Sequence, residues 1–159
     1  MGGYKNTLGN EDVSCGIALG YNNTVTGNAV IGPVALGQSN TSSGMGSFAC
    51  GVSNSASGGG AVAIGQSHIV SGGHSAALGY DHTVYGAYNS VAGNTNLVYG
   101  TNNTVLGSEH KLGYSTSYEA HYCTLLGRGH LIGNSTTSGV ARPAYLTVVG
   151  RYSKPGRTG

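Results

Sequence analysis

The sequence contains no tryptophan, a single phenylalanine (Phe48) and only 8% charged residues. So few large apolar side chains argue against a conventional globular core, and a stacked architecture with burial between chains suits that composition better. The five carboxylates, Glu11, Asp12, Asp81, Glu109 and Glu119, are scattered along the chain. No Gly-x-Ser-x-Gly elbow, His-Glu-x-x-His pair or phosphate loop accompanies them, so no catalytic constellation and no enzyme is expected. Cys15, Cys50 and Cys123 stand at unrelated spacings without a Cys-x-x-Cys pair, which argues against a metal or redox centre. No cofactor or metal is expected. A net charge of +2 is too small for a nucleic-acid footprint, and Arg142, Arg151, Lys154 and Arg157 gather only near the end, as a solvated terminus or a protein contact. No apolar run is long enough to span a membrane. Met1 to Lys5 leads directly into a repeat without an apolar leader, so no secretory signal is expected. Neither a helical period nor a heptad seam appears.

What the chain has instead is glycine, 30 residues of it, and from Gly37 to Gly107 a glycine on every seventh position. A fixed short period is the mark of a stacked repeat, and disordered low-charge chains lack such order. Two half-repeats alternate, so the true period is fourteen. One half carries a small apolar cluster before its glycine, as in Val34-Ala35-Leu36, Phe48-Ala49-Cys50, Val62-Ala63-Ile64, Ala76-Ala77-Leu78 and Thr104-Val105-Leu106. The other is polar and looser, as in Gln66 to Ser71. Each half has room for a strand of about five residues, roughly 16 Å, and then a corner. Glycine suits the corner because it takes backbone angles other residues avoid and lets the next coil approach closely. The expected fold is all-β: a parallel β-roll, or solenoid, of fourteen-residue coils.

Side chains alternate faces along a strand. The column Leu36, Cys50, Ile64, Leu78, Leu106 and Leu126 therefore points opposite to the column Ala35, Ala49, Ala63 and Ala77, yet both are apolar. A strand apolar on both faces is covered on both. The reading puts the alanines inside the narrow roll and the larger column against another copy of the chain, since closed symmetry removes an open apolar stripe.

The units Val62-Ala63-Ile64-Gly65 and Ser75-Ala76-Ala77-Leu78-Gly79, with the seven-residue half between them, resemble the head repeats of YadA-like trimeric adhesins and the similar repeats of bacteriophage tail fibres and tail-tip proteins. The resemblance runs from about Leu8 to Gly150, and the closing Leu146-Thr147-Val148-Val149-Gly150-Arg151-Tyr152 resembles the end of such heads in phage proteins. Ser90-Val91-Ala92 departs from the pattern by swapping the order of sizes, and several repeats carry insertions. The resemblance implies a left-handed roll, a homotrimer, and an adhesive or structural role without catalysis.

Residues 1–150 read as the roll, with a regular core at 37–107 and a loop-decorated part at 108–150; residues 151–159 read as an extended tail. Insertions fall at Asn28 to Pro33, Tyr114 to Tyr122 and Asn134 to Pro143. Repeat insertions map to loops, often on a binding side, so recognition is expected in the C-terminal third. Tyr85 and Tyr99 share a column before a corner glycine, and Tyr114, Tyr118, His121 and Tyr122 crowd the second insertion. Tyrosine offers a flat apolar face with a polar tip, suited to sugars or proteins. A third column, Asn23, Asn40, Asn54, His68, His82, Asn96, His110 and, past an insertion, His130, reads as a polar ladder up the stack. Its sharper alternative, imidazoles or amides around a threefold axis holding an ion, lacks any supporting carboxylate or thiolate.

The function expected is that of a homotrimeric virion component, a bacteriophage tail fibre, tail tip or surface spike contacting neighbouring virion proteins or a host-surface glycan or protein, with no membrane insertion. The alternative is a head fragment of a bacterial trimeric autotransporter adhesin at the cell surface. An ice-binding solenoid requires a regular threonine array, whereas the column Thr24, Thr41, Ser55, Ile69, Thr83 and Leu97 is irregular. A hexapeptide acyltransferase requires a six-residue period.

Overall fold

A computed structural model describes residues 2–9, 15–26, 32–113, 115, 119–133 and 145–151. Among these there is no helix. The strands form two parallel sheets, one of ten strands and one of nine, and successive strands of a sheet are successive coils of the chain. One coil shows the plan. Strand β9 (Val62–Gln66) lies in the larger sheet, β10 (Ile69–Val70) in the smaller, and the chain then returns to the larger as β11 (Ala76–Tyr80), whose Ala77 pairs with Ala63. The chain is therefore a β-solenoid with coils of about fourteen residues.

The apolar half-repeats form strands of five residues, but the polar halves yield only two or three, shorter than the expected five. The reason is that the polar half supplies both corners. Ser67, at φ 61°, turns the chain into the smaller sheet, and the segment ending at His74, at φ 54°, turns it back. Left-handed residues recur at the first corner as Ser39, Ser53, Asp81, Thr95 and Glu109.

Longer coils keep the same register. Val34 pairs with Ile17 across seventeen residues, Thr124 with Thr104 across twenty, and Thr147 with Thr124 across twenty-three. The pairing of the strands, and with it the ladder of hydrogen bonds, is therefore kept across coils of different length. Residues 27–31, 116–118, 134–144 and the tail from 152 onward lie outside the described residues, and with them most of each predicted insertion.

The interior is narrow and changes along the axis. On the larger sheet the inward column is Ala18, Ala35, Ala49, Ala63, Ala77, Val91, Val105 and Leu125, all at 0% exposure. On the smaller sheet it is Val25, Ser42, Ala56, Val70, Val84, Val98, Leu112 and Ile132, likewise buried. Coil by coil the pair thickens from Ala35 with Ser42 to Leu125 with Ile132. Ser42 is tolerated inside because its hydroxyl bonds the Ser47 hydroxyl at 2.6 Å and lies 3.0 Å from the Ser47 carbonyl.

Candidate functional site

Three sets of side chains stand out from the interior packing: an apolar outer face, two buried polar ladders and a group of stacked rings.

The outer face belongs to the larger sheet. Leu19 is 46% exposed, Ile64 38%, Leu78 44%, Leu106 41% and Val149 69%, with Leu36, Cys50 and Leu126 half-buried in the same column. Gly2, Cys50 and Ala92 are the small members of the column. A second outward column two residues earlier holds Ile17, Val34, Phe48, Val62 and Ala76, then turns to Ser90, Thr104, Thr124 and Thr147. The alanines of the predicted pair of columns are thus inside, and the larger residues line a solvent-facing sheet. The face is apolar across both columns from Ile17 to Leu78 and across only one beyond that point. Isolated exposed leucines are ordinary on a protein surface, but two adjoining apolar columns form a contiguous patch.

The first ladder runs along the corner between the two sheets. Each rung's side-chain acceptor takes the backbone N–H of the rung in the next coil. Asn6 Oδ1 accepts from Asn23 at 2.9 Å, Asn23 from Asn40 at 3.0 Å, Asn40 from Asn54 at 3.0 Å and Asn54 from His68 at 3.0 Å. His68 Nδ1 then accepts from His82 at 3.1 Å, His82 Nδ1 from Asn96 at 3.2 Å, Asn96 Oδ1 from His110 at 2.9 Å and His110 Nδ1 from His130 at 3.2 Å. The rungs also donate: Asn40 Nδ2 reaches the Leu36 carbonyl at 2.7 Å and the Gly51 carbonyl at 2.8 Å, and His68 Nε2 reaches the Ile64 carbonyl at 3.0 Å. From Asn23 to His130 the rungs are at most 1% exposed. Buried within one chain and bonded at both ends, these imidazoles and amides do not line an axis between chains. Among the described residues no group of three metal-ligating side chains occurs.

A second ladder, absent from the sequence reading, follows the opposite corner. Ser75 Oγ accepts from Asn89 N–H at 3.0 Å, Asn89 Oδ1 from Asn103 at 3.0 Å and Asn103 Oδ1 from Cys123 at 2.9 Å. The fourteen-residue spacing from Ser75 to Asn103 is its signal in the sequence, interrupted at Cys123 by the insertion. Burial raises the Cys123 thiol above its ordinary range, keeping it neutral and unreactive.

The rings form stacks at the coil spacing. Tyr85 and Tyr99 are half-buried with centroids 4.9 Å apart and planes 12° apart, and burial together with Tyr85 pushes the Tyr99 hydroxyl upward. Tyr122 stacks on Tyr145 at 5.0 Å and 5°, and His74 on Tyr88 at 5.4 Å and 11°. His121 is held differently: its Nδ1 takes the Thr101 hydroxyl at 2.8 Å and the Thr101 N–H at 3.3 Å, while its Nε2 lies 3.7 Å from Glu119. That arrangement ties the loop before Cys123 to the coil below. Tyr114 and Tyr118 lie outside the described residues. Tyr85 with Tyr99, the expected column, forms one stack, and Tyr122 of the insertion group forms another with Tyr145. Tyr122 and Tyr145 remain 51% and 81% exposed. His74 and Tyr88 stand one fourteen-residue period apart, so their alignment was available in the sequence, whereas an insertion separates Tyr145 from Tyr122.

No family model, curated protein or solved structure matches this chain.

Proposed function

We propose that the chain is a non-enzymatic structural and adhesive module, a left-handed roll that associates as a homotrimer through the outer face of its larger sheet and serves in a bacteriophage tail fibre, tail tip or virion spike. The observation that carries this reading is the apolar outer face. Leu19, Ile64 and Leu78 are each more than a third exposed on a strand whose other face is already packed, and burying such a patch is worth about 25 cal/mol for every Å² removed from water. The remaining surface favours a mechanical role: the coils stack through continuous backbone ladders, and the side chains aimed outward offer hydroxyls and aromatic rings. Three copies side by side would form a rod about 50 Å long at strand spacing, and trimerisation would multiply weak contacts with a host-surface glycan, a host protein or a neighbouring virion protein through avidity.

The test is the mass of the full chain under native conditions. A trimer supports the reading, and a chain that remains single at micromolar concentration overturns it. Genes for tail proteins beside its own would support the virion setting, whereas genes for a secretion anchor would move it to a bacterial surface.

A further inference from the structure

The first ladder contains two chemistries with different responses to acid. A backbone N–H can only donate, so the Nδ1 atoms of His68, His82 and His110, which receive one each, carry no proton. The proton of each neutral ring is therefore on Nε2, where it points at the carbonyl of Ile64, Leu78 or Leu106. In this tautomer histidine presents the same acceptor and donor as asparagine, which is why the two residue types share one column. They differ only when a second proton arrives. An asparagine rung has no site for it. A histidine rung must take it on Nδ1, turning the acceptor into a donor aimed at the N–H of the next coil.

We propose that the histidine rungs make the C-terminal half of the roll an acid-sensitive latch, whereas the asparagine rungs hold the N-terminal half independently of pH. The arrangement of the rings strengthens the response. His68 and His82 stack with centroids 4.9 Å apart, and His110 and His130 do the same, so charging both members of a pair places like charges in contact. Asp81 faces the first pair and opposes the effect of burial on both rings, but burial is the larger influence. Around the second pair, Glu109 is engaged by Arg128 at 3.1 Å, Lys111 lies on the outward side, and the titratable neighbour of His110 is His130. Burial lowers the proton affinity of His68, His82 and His110 below the ordinary imidazole value of 6.5. For a base lowered on folding, the unfolded chain takes up protons first. Stability is therefore intact above about pH 6.5 and falls as the pH drops below it.

Amide hydrogen exchange of the full chain, followed residue by residue between about pH 7.5 and about pH 5, tests this. Protection factors at His82, Asn96 and His130, whose amides donate to imidazole, should fall by about tenfold for each unit by which the rings are depressed. Those at Asn40, Asn54 and His68, whose amides donate to asparagine, should hold. Equal loss in the two groups overturns the proposal. A variant carrying His68→Asn, His82→Asn, His110→Asn and His130→Asn keeps the acceptor and donor of each rung and should melt at the same temperature at both pH values. An acid-induced drop equal to that of the natural chain overturns it. Should that variant fail to fold, ¹⁵N spectra of the natural chain decide: ring signals of His68, His82 and His110 in the Nε2–H tautomer with midpoints below the ordinary imidazole value of 6.5 support the latch, and midpoints at or above it overturn it.

Discussion

A carbonyl oxygen of the next coil stands where a methyl group on Gly93 would have to go. An added Cβ would lie 1.9 Å from the Gly107 oxygen, and the residue sits at φ 125°. Both the contact and the angle reject a side chain, so Gly93→Ala is expected to cost more than about 3 kcal/mol, measured by chemical denaturation. The opposite outcome is expected at Thr95. This exposed residue holds φ 51° despite its branched Cβ, a conformation that costs about 1–2 kcal/mol and that asparagine accepts more readily. Thr95→Asn should raise stability by up to about 1 kcal/mol, visible as a higher melting temperature. At Asn54 one side chain satisfies three backbone groups, the His68 N–H and the Cys50 and Gly65 carbonyls. Asn54→Leu keeps the branching but leaves the His68 N–H without its acceptor and takes the side-chain donor from both carbonyls. With about 1–3 kcal/mol for each buried group left unpaired, the roll should open locally at that corner. Loss of amide protection at His68 would check it.

Among the elements, the interior columns are graded. The coils of Ala35 and Ala49 leave room for alanine and serine, and the C-terminal ones for leucine and isoleucine. Opposite substitutions are therefore both unfavourable, enlargement at one end and truncation at the other. Ala49→Leu should overpack its coil at a cost of about 1–3 kcal/mol. Leu125→Ala should leave a cavity costing about 2–5 kcal/mol. Equilibrium unfolding of both variants checks the pair, and full tolerance of either change would contradict the gradient. The strands themselves were legible where an apolar triplet precedes glycine. The short strands of the smaller sheet were misjudged in length, because the backbone angles of Ser67 and His74 that end them carry no composition signal. The polar column of Asn40, His68 and His110 could be seen as a ladder, but its bonding pattern could not, since it depends on the neighbouring coil's N–H being presented to the ring.

For the whole molecule the governing feature is the apolar outer face. Two acidic substitutions in its middle, Ile64→Glu and Leu78→Glu, place charge on exposed positions, so they should leave the strand signal of the single chain unchanged. If the face joins copies, these charges would be desolvated at the contact, and native mass should fall to that of one chain. A variant that keeps the parent's mass would show that the chains meet elsewhere. The transition at Ser90, where the second outward column turns from apolar to hydroxyl-bearing, locates the strongest contact toward the N-terminal half under this reading.

The sequence by itself determined that the chain is all-β and stacked, the fourteen-residue period and the identity of its columns, because glycine spacing and side-chain alternation are local consequences of backbone geometry. Only the tertiary structure decided which column is inside, since alternation is symmetric between faces until the strands close on one another. It also decided that Tyr122 stacks on Tyr145, and that asparagine and histidine are interchangeable rungs, because those facts depend on atoms brought together across coils whose lengths vary from fourteen to twenty-three residues.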